Sequence, residues 1–368
     1  MLNLSQKYVI EILKVKIFKK TLDLPCMKKY HYFLILSVLL ISACNQKFKV
    51  GAPYQEVTAV YGLLSTNDSA QYIKVLKGYY DETNDNLKIA KEVDSIYFKN
   101  LEVKLEVLNN ANVVKTINMD LVDLNHDGYT KDTGIFANIP NYAYKSKEIL
   151  DANKHYRLKV KNLTTGKEVY AETDLINSTL LVFTKPYINT QPLNFALSVE
   201  NTTFAWNAPS TAAFFEVALR FWYQETNNNT LTTEYKYVDL PLIQNIPSSG
   251  DGNTQAIMSN EQFYRALVSE LGAAPSYISR KVDTPDLILL AGGNVLKTYI
   301  DATNAQGGIT ADQIKPNFTN LIGEHVLGIF STRGTRFLYS VPFTQKTVDS
   351  IIGGSRTKSL NIVGVSTE

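Results

Sequence analysis

The chain has 368 residues, of which 45% are hydrophobic and 20% are charged, and its formal net charge is +2. This composition excludes an intrinsically disordered chain, and the small net charge argues against nucleic acid as a partner. The two cysteines, Cys26 and Cys44, precede the predicted folded region. Disulfides, thiol nucleophiles and cysteine-based metal sites are therefore excluded from that region.

Segment 27–44, MKKYHYFLILSVLLISAC, has the organisation of a secretory signal. Lys28 and Lys29 form a charged start, a short apolar run follows, and small residues precede Cys44. The run is about half the length that a transmembrane helix needs. Because its end resembles a bacterial lipobox, we predict a lipoprotein signal peptide. Cys44 would be lipidated and would anchor the mature chain to a membrane.

Residues 1–26 precede this complete signal and contain the basic, amphipathic run YVIEILKVKIFKK. Two interpretations are open. The run forms a helix on a membrane surface, or translation starts at Met27 and the upstream residues are an over-long gene prediction, since signal peptides act from the N-terminus. Residues 45–53 form a short polar tether after the lipidation site.

Period-2 alternation of apolar and polar residues begins near residue 54 and indicates strands. Asn109-Asn110 and Thr164-Thr165-Gly166 are turn signals between neighbouring strands. Short strands at this spacing predict an Ig-like β-sandwich over residues 54–178. Its strands are expected at 57–63, 72–76, 101–108, 113–119, 155–163 and 168–173.

A second β domain is predicted over residues 181–368. Trp206, the turn Asn207-Ala208-Pro209 and the alternating strand 215–223 look like the opening of a fibronectin type III-like sandwich. Further strands are expected at 233–240, 287–291, 295–300 and 360–364, a strand pair at 326–330 and 336–341, and a short helix at 345–352.

One longer helix is predicted at 259–272 as an insertion in the second domain. Ser259 and Gln262 fit a capping box, and Phe263, Leu267 and Leu271 share one helical face. Gly272 follows as a helix-terminating residue.

With these features in place, the chain resembles a family of Bacteroidota envelope lipoproteins of unknown function. The matching stretches are EVTAVYGLLS, HYRLKVKNLTTGKEVYAET, AWNAPSTAAFFEVALRFWYQE, AGGNVLKTYIDATN and NLIGEHVLGIFSTRGTRFL, of which GIFSTR is the most specific. The resemblance implies an Ig-like sandwich and a second β domain on a lipid anchor. It also implies an association of some members with outer-membrane transporters. It assigns no catalytic residues.

Exported lipoproteins of this phylum often carry an acidic run directly after the lipidated cysteine, which directs them to the cell surface. Here the run is NQKFKVG, without an acid. We therefore expect an outer-membrane lipoprotein that faces the periplasm.

Asp123, Asn125 and Asp127 begin a D-x-N-x-D-G pattern, in which oxygen ligands at alternate positions face one calcium ion. A complete loop has a bidentate glutamate at the twelfth position, but this chain has Gly134 there and Asp132 two residues earlier. Two interpretations stay open. The four polar side chains bind calcium, or the segment is a turn in which Asp and Asn accept nearby backbone amides.

His126, His155 and His325 lack the spacing of a metal or catalytic motif, and no G-x-S-x-G sequence is present. No catalytic residue and no cofactor other than calcium is predicted. Arg333 and Arg336 lie near aromatic residues. They bind an anion or a partner strand, or they are arginines whose stems pack along a turn.

The 22 tyrosines and 16 phenylalanines suit sandwich cores and would also suit a binding surface for glycan or protein. The leading hypothesis is a lipid-anchored binding or scaffold module of the cell envelope, associated with an outer-membrane transporter. The alternative is an envelope hydrolase that acts on glycan or peptide. A deep, acid-lined pocket between the domains would favour the hydrolase, and a shallow aromatic or open-edged face would favour binding.

Overall fold

A computed structural model describes residues 56–78, 86–187, 191–250, 252–305 and 318–366. The predicted signal peptide, its Cys44 and the tether lie outside the described residues, as does the upstream segment 1–26. No helix in the described part is both long enough and apolar enough to span a membrane.

The described chain is mostly β, which confirms the predicted fold class. The Ig-like and fibronectin type III-like assignments stay predictions. The strands are β1 (Val57–Leu64), β2 (Gln71–Gly78), β3 (Leu101–Asn109), β4 (Asn112–Asn118), β5 (Asp120–Asp123), β6 (Tyr142–Ser146), β7 (His155–Asn162), β8 (Glu168–Asp174), β9 (Val182–Lys185), β10 (Asn201–Asn207), β11 (Phe214–Asn227), β12 (Thr232–Pro247), β13 (Asn253–Ser259), β14 (Ile278–Val282), β15 (Asp286–Gly292), β16 (Val326–Leu338) and β17 (Ile362–Val365). The helices are α1 (Asn86–Ile89), α2 (Val93–Ile96), α3 (Asn260–Leu271), α4 (Asn294–Ala305) and α5 (Gln345–Gly353).

The strands form one large and two small sheets. The large sheet has ten strands in the order β17-β14-β11-β15-β16-β1-β2-β6-β5, with β12 paired to β11. A four-stranded sheet, β4-β3-β7-β8, and a three-stranded sheet, β13-β10-β9, complete the set. Strands from both predicted domains therefore contribute to the large sheet.

The first hydrophobic core lies between the four-stranded sheet and the β1-β2-β6 part of the large sheet. Alternating residues on each strand point into it, as the period-2 pattern predicts. Its members include Val60, Ile73, Val75, Val103, Leu105, Tyr144, Tyr156, Leu158, Val169 and Phe330.

The second core contains side chains from the three-stranded sheet, the β11-β15 part of the large sheet, and α3. Trp206 is completely buried there, with its ring centroid 5.3 Å from that of Phe215. Other members include Phe204, Val217, Leu219, Phe221, Leu240, Met258, Phe263, Leu267, Leu287 and Leu289.

The two cores divide the chain close to Ile176, near the boundary expected between residues 178 and 181. Even so, Tyr54–Glu368 forms a single compact unit. The strand β16 is the reason, because it pairs in parallel with β1 and contributes Phe330 to the first core. Such a return of a late strand to the start of the chain leaves no local sequence signal.

The predicted strand pair 326–330 and 336–341 is wrong, since one continuous strand, β16, covers the first segment and the first half of the second. Its first half pairs with β1 and its second half with β15. Gly334 lies within the continuous strand. In the structure it permits close packing, because a Cβ there would lie 2.7 Å from Cγ2 of Ile176.

The predicted strand 295–300 is also wrong, because α4 occupies this segment. Val, Thr, Tyr and Ile favour strands by propensity, but tertiary context overrides such preferences. Here β15 ends at Gly292, and the N–H of Leu296 donates to Oγ of Ser331 on β16 at 3.3 Å. Lys297 and Asp301 add an ion pair one helical turn apart.

Helix α3 lies where the sequence places it. Phe263, Leu267 and Leu271 are buried on one face, and Gly272 ends the helix with a φ of +68°. Ser259 is at the N-cap position, but its side chain makes no capping hydrogen bond, so the predicted capping box is wrong.

Candidate functional site

The outer surface of the large sheet carries a continuous group of aromatic side chains. On β11 the odd-numbered residues from Phe215 to Tyr223 are buried, so Arg220 and Trp222 point to the opposite, outer side. Strand β12, which pairs with β11, and the end of β16, which lies beyond β15, add aromatic residues to the same side. We call this surface the aromatic face. Its members are Arg220, Trp222, Tyr235, Tyr237, Phe337 and Tyr339.

Trp222 lies at one end of the aromatic face. Tyr237 is its cross-strand partner on β12, with ring centroids 4.8 Å apart. Tyr235 stacks nearly parallel to the indole at 5.3 Å and 13°, and its hydroxyl donates to Oδ2 of Asp283 at 2.8 Å. Aromatic pairs across strands stabilise a sheet and fix one another's orientation.

Arg220 joins the two aromatic groups of the face. Its guanidinium lies 4.2 Å from the ring centroid of Tyr237 and 5.5 Å from that of Phe337. Phe337 stacks on Tyr339 at 5.4 Å and 6°. Arg220 also donates two hydrogen bonds of 2.8 Å to the carboxylate of Asp239. Its charge is thus compensated, and the pairing raises the pKa of the guanidinium above its usual value.

A buried carboxylate on the neighbouring strand β15 holds the indole by a hydrogen bond. Asp286 is 7% exposed and accepts the Trp222 Nε1–H at 2.8 Å through Oδ2. Its Oδ1 accepts the backbone N–H of Ser340 at 2.9 Å. The orientation of Trp222 is therefore set before any ligand arrives.

The aromatic face is open and shallow. Tyr235, Tyr237 and Tyr339 are 57%, 49% and 62% exposed. Tyr235 and Tyr237 lie on β12. Within the described sheets β12 pairs with one strand, β11, so its other edge is not paired to a strand. A contiguous exposed apolar patch of this kind commonly marks a binding surface.

The sequence predicts part of this surface. In the alternating strand 215–223, Arg220 and Trp222 occupy the positions on the side opposite the apolar residues. Phe337 and Tyr339 are brought next to them by the pairing of β15 with β11 and β16, which connects distant parts of the chain. That pairing has no local signal.

Asp123 is the last residue of β5, Asn125 and Asp127 lie in the turn that follows it, and Asp132 lies farther along the chain. Oδ1 of Asp123 accepts the backbone N–H groups of Asn125 and Asn141 at 3.1 and 2.9 Å, an arrangement that includes an Asx-turn. These hydrogen bonds, that of Asn141 first, lower the pKa of Asp123. Asp132 is exposed.

Asp127, the other acid of the D-x-N-x-D-G pattern, faces a cation. Its Oδ2 lies 2.6 Å from Nζ of Lys145 and 3.1 Å from the hydroxyl of Tyr72, and the bond to Lys145 lowers the pKa of Asp127. Among the described residues no group of three or more His, Cys, Asp or Glu side chains is placed to hold a metal ion. These hydrogen bonds are those of the turn interpretation, and the calcium interpretation stays untested.

His155 is the histidine with the most polar partners. Nδ1 lies 2.7 Å from Asp174 and Nε2 lies 2.9 Å from Glu172. Burial opposes the charged form, but these carboxylates outweigh it and raise the pKa of His155. The imidazolium then donates from both nitrogens. An open cavity of about 410 Å³ adjoins these three residues and the start of α4.

The remaining residues named in the sequence analysis are not members of the aromatic face. Arg333 pairs with Asp68 at 2.6 Å, and Arg336 is exposed on the same strand. His126 lies in the turn after β5. His325 precedes β16, and its carbonyl accepts the N–H of Thr58.

Comparison with known proteins identifies no family. No family model matches, and no curated protein matches. Among solved structures, the C-terminal globular domain of an oligosaccharyltransferase from Pyrococcus abyssi aligns at 10% identity and a TM-score of 0.19 over 79% of this chain and 50% of that one. CBD12 from CALX1.2 aligns at 9% identity and a TM-score of 0.14 over 75% of this chain and 99% of that one. This chain thus spans half the length of the first, and neither likeness carries a functional argument.

Proposed function

We propose that this protein is a lipid-anchored binding module of the outer membrane, facing the periplasm, which binds a protein partner through the aromatic face. The observation that carries the proposal is the open, pre-oriented group of Trp222, Tyr235 and Tyr237 around Arg220. The family resemblance suggests an outer-membrane transporter as that partner. Cys44 would supply the anchor.

The composition of the aromatic face favours a protein partner. Trp, Tyr and Arg are the residue types that contribute most to protein–protein binding energy. The rings stack on one another, so they present edges and hydroxyls more than free flat faces. Arg220 is neutralised by Asp239, so the surface can be desolvated without leaving an uncompensated charge.

The hydrolase alternative has little support from His155, although carboxylates surround it. A general base needs an unprotonated nitrogen within reach of the substrate. Both ring nitrogens of His155 are instead engaged by Asp174 and Glu172. This arrangement is an ion-pair network between neighbouring strands, to which Arg157 also contributes through Glu172.

The binding proposal can be tested by affinity capture of the tagged lipoprotein from native membranes. The variant Trp222→Ala/Tyr237→Ala removes the indole and the tyrosine ring that contacts it. The matched control is Tyr170→Ala, which removes an exposed tyrosine from β8 on a different sheet. We expect wild type and control to capture the same membrane protein and the double variant to lose it. Equal capture by all three, or no captured partner, would contradict the proposal.

The anchor is tested separately by Cys44→Ser in the full-length gene. We expect the wild type in the membrane fraction, labelled by a fatty-acid analogue, and the variant in the soluble fraction without label. An unchanged distribution would remove the lipid anchor from the proposal but would leave the aromatic face untouched.

A further inference from the structure

A second, chemically different cavity lies on the outer side of the β1–β2 hairpin. Its volume is about 530 Å³, within the usual range for small-molecule sites. Ala59 and Leu76 are cross-strand partners that form its floor. Ala90 and Ile96, both buried, line it from the α1–α2 region. No residue of the aromatic face takes part.

The rim of this cavity is apolar on one side. Ile135 and Phe136 line it and are 56% and 51% exposed. The ammonium of Lys131 lies 5.6 Å from the ring centroid of Phe136 and donates to the carbonyl of Ala137 at 2.9 Å. A positive charge and an apolar surface thus meet at the rim.

Lys74 places a second amine at the same cavity. It is half buried, and its Nζ donates to the side-chain oxygen of Asn141. Burial, and then the charge of Lys131, lower the pKa of Lys74, and the charge of Asp123 opposes this only in part. Within the described residues neither Lys74 nor Lys131 forms an ion pair, whereas Lys77 lies 3.7 Å from Glu56.

An anion would complement this charge distribution. The charge of Lys131 repels the partly buried ammonium of Lys74, and one carboxylate near both would relieve that repulsion and accept charge-assisted hydrogen bonds. The walls of Ala59, Leu76 and Ile96 would meanwhile exclude water from an alkyl chain. A ligand with both parts satisfies both features of the cavity.

We propose that this cavity binds a fatty acid, with its carboxylate at Lys74 and Lys131 and its alkyl chain against the apolar walls. This site is independent of the protein-binding function of the aromatic face.

The first test is calorimetry on the soluble mature chain with three probes of equal chain length, each below its aggregation concentration. The probes are laurate, dodecanol and dodecyltrimethylammonium. We expect saturable laurate binding, dodecanol binding at least about tenfold weaker because it lacks the charge, and no binding of the cation. No laurate binding, or equal binding of laurate and dodecanol, would overturn the proposal.

Two variants and a control locate the site. Lys131→Met keeps the stem length and removes the charge, and we expect laurate affinity to fall about tenfold. Ala59→Phe fills the cavity from an outward-facing position on β1, and we expect it to abolish binding. Lys77→Met is the matched control, since Lys77 also lines the cavity but is paired with Glu56. Thermal unfolding checks that each variant folds. Wild-type affinity in folded Ala59→Phe would refute the assignment.

Discussion

The indole N–H of Trp222 donates a 2.8 Å hydrogen bond to Asp286, a carboxylate that is 7% exposed. The other oxygen of Asp286 accepts the backbone N–H of Ser340, directly after Tyr339. One buried acid thus supports both ends of the aromatic face, which lie on β11 and after β16. The carboxylate therefore fixes Trp222 and the backbone next to Tyr339 relative to each other.

The first prediction concerns Asp286→Asn. The amide of asparagine has one oxygen that can accept a hydrogen bond, where the carboxylate has two. Its NH2 group would face either the Trp222 Nε1–H or the Ser340 N–H, so one of these two donors loses its acceptor. We expect the free energy of unfolding to fall by about 1–3 kcal/mol and the near-ultraviolet circular dichroism of Trp222 to change. Urea unfolding measures the first effect. The control is Asp283→Asn, a partly exposed acceptor for the Tyr235 hydroxyl, expected to change stability by less than about 0.5 kcal/mol. Equal effects of the two variants would contradict the supporting role of Asp286.

The second prediction concerns Gly328→Ala on β16. Gly328 has a φ of +96°, and a Cβ there would lie 2.0 Å from the carbonyl oxygen of Val60 on β1. Strain and overpacking add, so we expect a loss of about 3 kcal/mol or more. Gly364→Ala on β17 is the control, because no atom lies within 4 Å of its added Cβ. Thermal unfolding of both variants tests this, and a Gly328→Ala protein as stable as the control would refute the close contact between β1 and β16.

Local patterns predicted most strands and helix α3, because alternation and helical spacing depend on neighbours in sequence. The contact of His155 with Asp174 follows the same logic, since these residues are cross-strand partners in a hairpin with a clear turn signal. The cavity that we propose as a fatty-acid site could not be predicted from local patterns, because Lys74 lies on a strand and Lys131 lies on a distant loop. The return of β16 to β1 was likewise invisible, since parallel pairing depends on residues far apart in the chain.

The third prediction concerns calcium. Lys145 and Tyr72 already occupy Oδ2 of Asp127, and backbone amides occupy Oδ1 of Asp123. A calcium ion would have to displace these partners, so we expect no heat on titration of the wild type with millimolar calcium. Saturable heat that disappears in Asp127→Asn would show that the predicted loop binds calcium after all.

The fourth prediction concerns the protonation of His155. Burial lowers its pKa, but hydrogen bonds to Asp174 and Glu172 dominate, so the pKa in the folded state exceeds the ordinary value of 6.5. The stabilisation by charged His155 is therefore fully present below about pH 6.5 and is lost as the pH rises through the higher folded-state value. Because the side chain is 36% exposed, solvent screens the effect. We expect the wild type to unfold at a higher temperature than His155→Gln below about pH 6.5. The difference should shrink as the pH rises through the folded-state pKa of His155.

Titration of the His155 ring protons by NMR measures the shift directly. Glu172→Gln removes one acceptor charge, and we expect it to move the titration of His155 to lower pH. Glu168→Gln is the matched control on the same strand, because Glu168 pairs with Lys159 and Lys161. Its His155 titration should coincide with that of the wild type. A wild-type midpoint at or below the ordinary value, or equal shifts in both variants, would contradict the ion-pair network.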